Sequence, residues 1–344
     1  MTSTAPVSDI RAVVFGVGAM GALATRLLSE RGVSIVGALG RSPEKVGRDL
    51  GDVADLGYQL GVQVEADADI VLGRGADIAV VCVGSYLDNM HRHFEACLGH
   101  GLNVITIEEE TVFPWRTAPA LSKKLDALAK ANGTTLAASG AQDVFWVNLV
   151  STLLGASHRV DSVIGECRWN VDDYGPEVAG HLRLGQTAES FHRFVAQEGW
   201  PEFVARQTLE ALISKLDLSP DHISSGVEPV VARQPVQCRS LGSGIAAGQV
   251  MGTIDTTKVS TVEGPTFEFR MEGRVYTPGE TDKNHWRILG EPDLQLSNDV
   301  VPYRFTTCST LINRIPDVIR AAPGLLSLDL LGPPQYRHAL AKAR

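Results

Sequence analysis

Cysteine is scarce and scattered in this chain. Cys82, Cys97, Cys167, Cys238 and Cys308 are odd in number and form no CxxC pair. That pattern argues against a disulfide framework and a ribbon-type zinc site, and reduced thiols in the cytoplasm are the simplest expectation. No run of about 18 apolar residues occurs, so no membrane span is expected. The net charge is −9 and no basic block offsets it, which argues against a nucleic-acid partner. Met1-Thr2-Ser3-Thr4-Ala5-Pro6 has neither a basic n-region nor an apolar h-region, so no signal peptide is expected. No internal repeat or low-complexity tract stands out. What remains is 344 residues, 44% hydrophobic and 21% charged, a composition for two soluble globular domains with ample core.

Glycine, by contrast, is plentiful, and one cluster of it is ordered. Val13-Val14-Phe15-Gly16-Val17-Gly18-Ala19-Met20-Gly21, followed by Ala22-Leu23-Ala24-Thr25-Arg26-Leu27-Leu28, reads as buried strand, tight turn and apolar helix. Gly16 permits the turn, Gly18 lets the backbone approach a pyrophosphate, and Gly21 lets the helix pack on the strand. Ala19 and Met20 begin a helix whose free N–H groups and positive dipole end suit phosphate. The reading is dinucleotide binding. The bland alternative is a structural glycine turn.

The next strand, Ser34-Ile35-Val36-Gly37-Ala38-Leu39, ends at Gly40. An NAD-binding fold usually places Asp or Glu there to hold the ribose 2′-OH. Its absence removes the element that repels a 2′-phosphate. Arg41 can stack on adenine and pair with that phosphate, Ser42 can donate to it, and Lys45 adds charge. NADP(H) is therefore expected, with NAD(H) as the alternative. Arg41 and Lys45 also read as solvated charges opening a helix.

Strand-like and helix-like segments alternate through the first 150 residues. Val62–Val64, Ile78–Val83, Asn103–Ile107 and Thr134–Ala138 are the further strands, with helices at Tyr86–Leu98 and Ala118–Ala131. This βαβ series predicts an α/β fold with a doubly wound parallel Rossmann sheet. After about residue 155 the texture changes. Val160–Val163, Glu166–Asn170, Gln249–Thr253, Thr266–Met271 and Arg274–Thr277 read as strands, and Thr187–Gln197 and Pro201–Lys215 as helices. A helix over Thr306–Ala321 stops at Ala322-Pro323-Gly324. The expected division is a nucleotide-binding domain over 1–150 completed by 306–344, and an α+β substrate and oligomerisation domain over 151–305. The alternation in Thr266-Phe267-Glu268-Phe269-Arg270-Met271 needs a cover, either a second copy of the chain or the helices near 187–215.

In doubly wound sheets ligands sit beyond the carboxyl ends of the strands. The fourth strand is followed by Gly84-Ser85, small enough to let a cofactor lie close. The sixth is followed by Ser139-Gly140-Ala141-Gln142-Asp143. The fifth is followed by Glu108-Glu109-Glu110 and then Thr111-Val112-Phe113-Pro114-Trp115. Adjacent carboxylates raise one another's pKa, and partial burial raises it further, which suits a general acid/base near neutrality. Some of the three can instead face solvent or cap a helix beginning near Pro114. Phe145 and Trp146 read either as the wall of a substrate pocket or as core. Asp172-Asp173 reads as a turn or part of the substrate site. His91 and His93 read as surface residues of an outer helix, and no metal signature or Ser-His-Asp arrangement is present.

Several of these segments together resemble 2,4-diaminopentanoate dehydrogenase and the native amine dehydrogenases, a group similar to dihydrodipicolinate reductase. They are Gly16–Gly21, Glu44-Lys45-Val46-Gly47-Arg48-Asp49, and Glu109-Glu110-x-x-Phe113-Pro114-Trp115. Asp143-Val144-Phe145-Trp146, Asn313-Arg314-Ile315-Pro316-Asp317-Val318 and Ala322-Pro323-Gly324 add to the match. The resemblance implies reductive amination of a small ketone or aldehyde with ammonia, or the reverse, using NAD(P)H. It places the catalytic glutamate after the fifth strand, at Glu109 with Glu110 as the adjacent candidate. Glu108 stands where the family often has a small residue or Cys. The His-His segment and Lys-x-x-x-Ser-Gly-Thr-like motif of the reductase proper are missing, so dihydrodipicolinate reduction is not expected.

A carboxylate beside an iminium can stabilise the cation and move protons as a carbinolamine dehydrates. Phe145, Trp146 and Tyr174 would enclose such a substrate, while Arg168 and Arg183 keep an acidic one open. Two other readings stand beside this one. A dehydrogenase acting on C–OH usually needs Lys, His or Tyr near the nicotinamide. A non-catalytic NADP sensor would need the glycines alone. A homodimer, in the cytoplasm, is expected.

Overall fold

The structure, a computed structural model, describes residues 8–201 and 204–342. The reading of Met1–Pro6 lies outside these residues. The described chain forms two compact units. One contains the residues up to Val144 and from Arg304 onward, and the other is Phe145–Tyr303.

The first unit begins β1 (Arg11–Phe15), α1 (Ala19–Glu30), β2 (Ser34–Leu39), α2 (Leu50–Val53), β3 (Val64–Glu65) and α3 (Ala68–Leu72). It continues with β4 (Ile78–Val81), α4 (Leu87–Gly99), β5 (Asn103–Thr106), α5 (Pro119–Ala131) and β6 (Thr135–Ala138). The strand period of two sends alternate side chains to opposite faces of the sheet. Ala12 and Val14 of β1 pack with Ala24 and Leu28 of α1. Val13 and Phe15 pack on the other face with Met90 and Phe94 of α4 and Leu125 of α5. Both faces are thus buried, which is why the strands read as continuous apolar runs. Each fully buried Val, Leu or Phe stabilises by roughly 1.5–3 kcal/mol.

Along this part of the chain the elements differ from the sequence reading in two places, after β2 and after β5. The third strand is Val64–Glu65, because Val62 turns its backbone towards the α2 loop: its N–H donates to Asp49 and its carbonyl accepts from Leu50. No helix begins near Pro114. Residues Glu110–Val112 make one 3₁₀ turn, and α5 starts at Pro119, where proline's fixed φ suits the first helical turn.

A π-helical stretch, Gln142–Asn148, follows β6. The second unit then runs α6 (Leu149–Leu154), β7 (Arg159–Asn170), α7 (Pro176–His181), α8 (Ala188–Glu198) and α9 (Val204–Lys215). The helix expected from Pro201 is described from Val204 onward. Next come β8 (Pro220–Val231), β9 (Val236–Cys238), β10 (Ser243–Ile245), β11 (Val250–Thr261), β12 (Thr266–Arg274), β13 (Lys283–Glu291) and β14 (Leu294–Asn298). The six-stranded sheet has the order β14-β13-β7-β12-β11-β8 and is mixed, with β7 and β12 parallel. β9 and β10 form a separate hairpin.

The two strands expected at Val160–Val163 and Glu166–Asn170 are one. Gly165 is not a break but a notch: a Cβ there would lie 2.5 Å from the Trp286 ring. Trp286 fills that space, fully buried and stacked on Phe269 with centroids 4.9 Å apart. Arg274–Thr277 is not a strand. β12 ends at Arg274, after which Val275 N–H donates to Met251 and Thr277 is held by Glu280. Phe267, Phe269 and Met271 are buried, and α9 packs on β11 and β12. The apolar face of β12 is therefore covered inside the unit. The opposite face carries Glu268, Arg270 and Lys258, of which Lys258 and Glu268 pair at 3.1 Å.

The chain closes with α10 (Tyr303–Arg320) and β15 (Gly324–Leu326). Cys308, Leu311, Ile315 and Val318 of α10 join the core of the first sheet beside β1 and α1. β15 pairs parallel with β6, giving a seven-stranded parallel sheet, β15-β6-β5-β4-β1-β2-β3. No helix of the described residues is long and apolar enough to cross a membrane.

Candidate active site

The strand order reverses between β1 and β4, which pair through Phe15 and Val81. A crevice opens at such a switch point beyond the carboxyl ends of the strands. The glycine turn lies there. Gly16 has φ +96°, and a Cβ on it would meet the Cys82 carbonyl at 2.5 Å and Val83 at 2.7 Å. A Cβ on Gly21 would fall 1.8 Å from the Gly16 carbonyl. At Gly18 a Cβ would meet nothing within 4 Å. Two glycines thus close the turn against itself, and the middle one faces open space. Gly18 is the N-cap of α1 and brings no side chain to satisfy the first N–H groups of Ala19, Met20 and Gly21. Free amides, a helix dipole and room for close approach fit a pyrophosphate. Val83, beyond the end of the neighbouring strand, is 49% exposed.

The end of β2 gives the reason for the missing acid. A Cβ on Gly40 would lie 2.6 Å from Val17 Cγ2, so a larger side chain has no room. Asp49 does not substitute for it, because its carboxylate accepts from the amides of Gly51, Leu60, Gly61 and Val62, which outweigh burial and hold its pKa down. Arg41 is exposed and has no ion-pair partner among the described residues. Lys45 is committed elsewhere: its ammonium donates to the Val17 carbonyl at 2.8 Å and braces the glycine turn. Ser42 accepts from the amides of Lys45 and Val46 through its carbonyl, so these residues form a turn, not the helix considered from sequence. His93, read as surface, is half-buried and packs edge-on against Phe15 at 4.9 Å.

The three glutamates after β5 have three different surroundings. Glu108 is fully buried and clamps its own turn, accepting from the amides of Glu110 at 3.1 Å and Thr111 at 2.8 Å. Burial, opposed by Thr111 and aided by its acidic neighbours Glu109 and Glu110, pushes its pKa up to about 8. Glu110 reaches across to α4, where its Oε2 accepts from Leu87 N–H at 2.9 Å. That satisfies one free amide at the helix N-terminus, where a negative charge is favoured. Glu109 is the one left over. Its residue is only partly covered, but Oε2 is enclosed and has no hydrogen-bond partner among the described residues. Burial pushes its pKa up to about 7, and a hydrogen bond from Ser85 pulls the other way. The run that follows anchors this loop: Phe113 is buried, and Trp115 Nε1 donates to Ser327 Oγ at 3.0 Å.

The structure therefore gathers Gly16, Gly18, Gly21, Gly84, Ser85 and Glu109 at the ends of β1, β4 and β5. Gly140 has a packing role: a Cβ there would meet Gln142 at 2.6 Å and Thr307 at 3.1 Å. In the second unit, Trp146 is 5% exposed, edge-on to both Phe269 and Tyr303. Phe145 and Tyr174 are half-buried, against Tyr303 and Trp169 respectively. Asp172 is a loop fastener, accepting from the amides of Arg239 and Ser240. Sequence reasoning gave no role to Asp143 and Arg314. They form a buried two-point pair at 2.7 and 2.8 Å, with Ser139 donating to the same carboxylate. Both lie in segments that carry the family resemblance, and each is a charged residue set among apolar ones. Among the described residues no group of three His, Cys, Asp or Glu side chains could hold a metal ion.

A glycine turn at the switch point of a seven-stranded parallel sheet, joined to a mixed-sheet unit, defines a nicotinamide-dependent oxidoreductase of the dehydrogenase class. Residues 145–342 match the 2,4-diaminopentanoate dehydrogenase C-terminal domain. An amine dehydrogenase structure from Mycobacterium smegmatis is 47% identical, with a TM-score of 0.93 over 98% of this chain and 100% of that one. The 2,4-diaminopentanoate dehydrogenase of Acetoanaerobium sticklandii is 26% identical over 92% of this chain and 91% of its own length. The myo-inositol dehydrogenase of Lactobacillus casei, solved with NAD(H) and myo-inositol, shares the fold at 14% identity and a TM-score of 0.59. It covers 94% of this chain and 89% of its own. The chain belongs to the 2,4-diaminopentanoate dehydrogenase family and is an oxidoreductase of the CH–NH₂ class.

Proposed function

We propose that this protein is an NADP(H)-dependent amine dehydrogenase that interconverts a small ketone or aldehyde plus ammonia with the corresponding amine, with Glu109 as acid/base. The observation that carries the reading is the division of labour among the glutamates. Glu108 spends both oxygens and Glu110 one on backbone amides, whereas Glu109 accepts from none of these and keeps one enclosed oxygen free. The names of the two family relatives support the amine.

The bound nicotinamide supplies the hydride that reduces the substrate carbon. The glycine turn and the first amides of α1 would hold its pyrophosphate, and Arg41 the 2′-phosphate. Glu109 handles the protons. Entering as the acid, it protonates the carbonyl oxygen as ammonia adds; as the carboxylate it then takes one proton from the added nitrogen and returns it to the hydroxyl, which leaves as water and leaves Glu109 ionised. The carboxylate then faces the iminium cation and stabilises it until hydride arrives. A pKa near 7 keeps both forms of Glu109 available near neutrality.

The test is kcat for Glu108→Gln, Glu109→Gln and Glu110→Gln, each beside an NADPH titration. Glu109→Gln should lose roughly 10²–10⁴-fold in kcat with little change in NADPH affinity. The other two should lose less in kcat and more in thermal stability, since each removes one acceptor from a buried amide. Full activity in Glu109→Gln would end the carboxylate mechanism. Turnover of a ketone panel only with ammonium supports the amine reading, and equal turnover without it selects a C–OH dehydrogenase.

A further inference from the structure

Resting on the glycine turn as the pyrophosphate site, we infer that Arg304 is a further binding residue, whose guanidinium neutralises the cofactor's pyrophosphate at the N-terminus of α1. Arg304 stands at the start of α10. Its Nη2 donates to the carbonyl of Ala19 at 3.5 Å. Ala19 is the first residue of α1, next to Gly18, and its amide is among those that no side chain caps. One turn further along α10, Cys308 Sγ donates to the Met20 carbonyl at 3.6 Å. Two positions four apart on α10 thus meet consecutive carbonyls of α1. That spacing is one face of a helix, so the face of α10 that packs on α1 carries Arg304 to the mouth of the glycine turn.

The charge is unfavourable where it stands. A helix N-terminus is the positive end of its dipole, and a cation beside it is repelled. The first turn of α1 holds no acidic residue to offset this. Arg304 is exposed and has no ion-pair partner among the described residues. Fastening α10 needs no such charge, because Cys308, Leu311, Ile315 and Val318 already join the core beside α1. A guanidinium has five N–H donors, and the Ala19 carbonyl takes one. An anion on the first amides of α1 reverses the balance. It faces the dipole and the guanidinium together, and charge-assisted bonds to phosphate are the strong ones. Gly18 leaves space for it, since a Cβ there would meet nothing within 4 Å. Arg41 and Arg304 then divide the dinucleotide. Arg41 takes the 2′-phosphate, which NADPH alone carries, and Arg304 the pyrophosphate, which NADPH and NADH share.

The experiment is calorimetric titration of the full-length protein with NADPH, NADH and adenosine 2′-monophosphate, which has the 2′-phosphate but no pyrophosphate. The variants are Arg304→Ala, Arg304→Gln and Gly18→Ala beside the wild type, with the melting temperature of each cofactor-free protein. Arg304→Ala should raise the Kd of both dinucleotides by a similar factor, about tenfold or more. It should leave adenosine 2′-monophosphate unchanged and melt as the wild type does. Arg304→Gln keeps a donor for the Ala19 carbonyl but no charge, and should lose as much affinity as Arg304→Ala. Recovery in Arg304→Gln would assign the effect to the fastening of the two helices and overturn the inference. A loss confined to NADPH, or shared by adenosine 2′-monophosphate, would place Arg304 at the adenosine end and also overturn it. So would unchanged affinity for both dinucleotides. Gly18→Ala tests the underlying reading: if it binds both dinucleotides normally, the glycine turn does not hold the pyrophosphate. That failure is distinct from one in which Gly18→Ala loses affinity and the Arg304 variants do not.

Discussion

Arg41 and the three glycines show how single residues divide into those that fold the chain and those that hold a ligand. Arg41 is exposed, beside a position where no acid fits, and pairs with nothing in the described chain. A charge-assisted contact to a 2′-phosphate is worth on the order of 1.5–3 kcal/mol. Arg41→Ala should therefore weaken NADPH by about tenfold or more and leave NADH nearly unchanged. Equal losses in fluorescence titrations of both cofactors would remove the phosphate contact. The glycines separate by space. Gly18→Ala places its methyl in the open crevice, so thermal unfolding should barely move while cofactor affinity falls. Gly21→Ala drives a methyl into the Gly16 carbonyl, where overpacking costs about 1–3 kcal/mol or more. Its melting temperature should fall along with affinity. A Gly18→Ala variant that binds NADPH normally would place the pyrophosphate elsewhere.

Elements meet through few polar fastenings, and the strongest links the segment after β6 to α10. Arg314 is 2% exposed and Asp143 is fully buried. Two hydrogen bonds from the guanidinium, with Ser139 as a third donor, satisfy the carboxylate. Burial alone would lower the Arg314 pKa, but Asp143 reverses the effect and raises it. Removing one partner of such a pair leaves an uncompensated buried charge, at a cost of about 3–5 kcal/mol. Arg314→Met should show a loss of that order in denaturant unfolding. Replacing both together with apolar side chains should recover much of it, because the orphaned charge disappears. A near-neutral Arg314→Met would show that water already reaches the pair. The segment Asn313–Val318 is legible as a helix with an apolar stripe, but the partner that lets its cation be buried, Asp143, comes from the segment after β6.

For the whole molecule, the two-unit plan leaves one broad surface without a role. The six-stranded sheet buries Phe267, Phe269 and Met271 beneath its own helices. The other face presents Glu268, Arg270, Lys258 and Arg287 among half-exposed Ile164 and Ile254. We propose that this face joins two copies of the chain. An isologous contact on a mixed sheet would bring such charges against their opposites on the symmetric partner. Light scattering at micromolar concentration should give twice the monomer mass of 36.9 kDa, falling as salt screens the face. A monomer at low salt would refute it. The motive from sequence, an apolar face in need of cover, is not what supports a dimer now, since α9 already covers it.

Local pattern determined much of this protein. Continuous apolar runs marked β1, β2, β4, β5 and β6, because strands buried on both faces need no alternation. Helical periodicity marked α1, α4 and α5, and the ordered glycines marked a turn whose conformation other residues adopt only with strain. These features depend on neighbours along the chain. What only the tertiary structure decided depends on neighbours in space. β15 is three residues long and gains its strand identity from pairing with β6. β8 carries Pro, Gly and Ser and is held as an edge by β11. Gly165 looked like a break until Trp286 filled it. Glu108, Glu109 and Glu110 are identical in sequence terms, adjacent and equally acidic. Glu108 turns in on the amides of its own turn, Glu110 reaches the distant amide of Leu87, and burial of the Glu109 carboxyl pushes its pKa up to about 7.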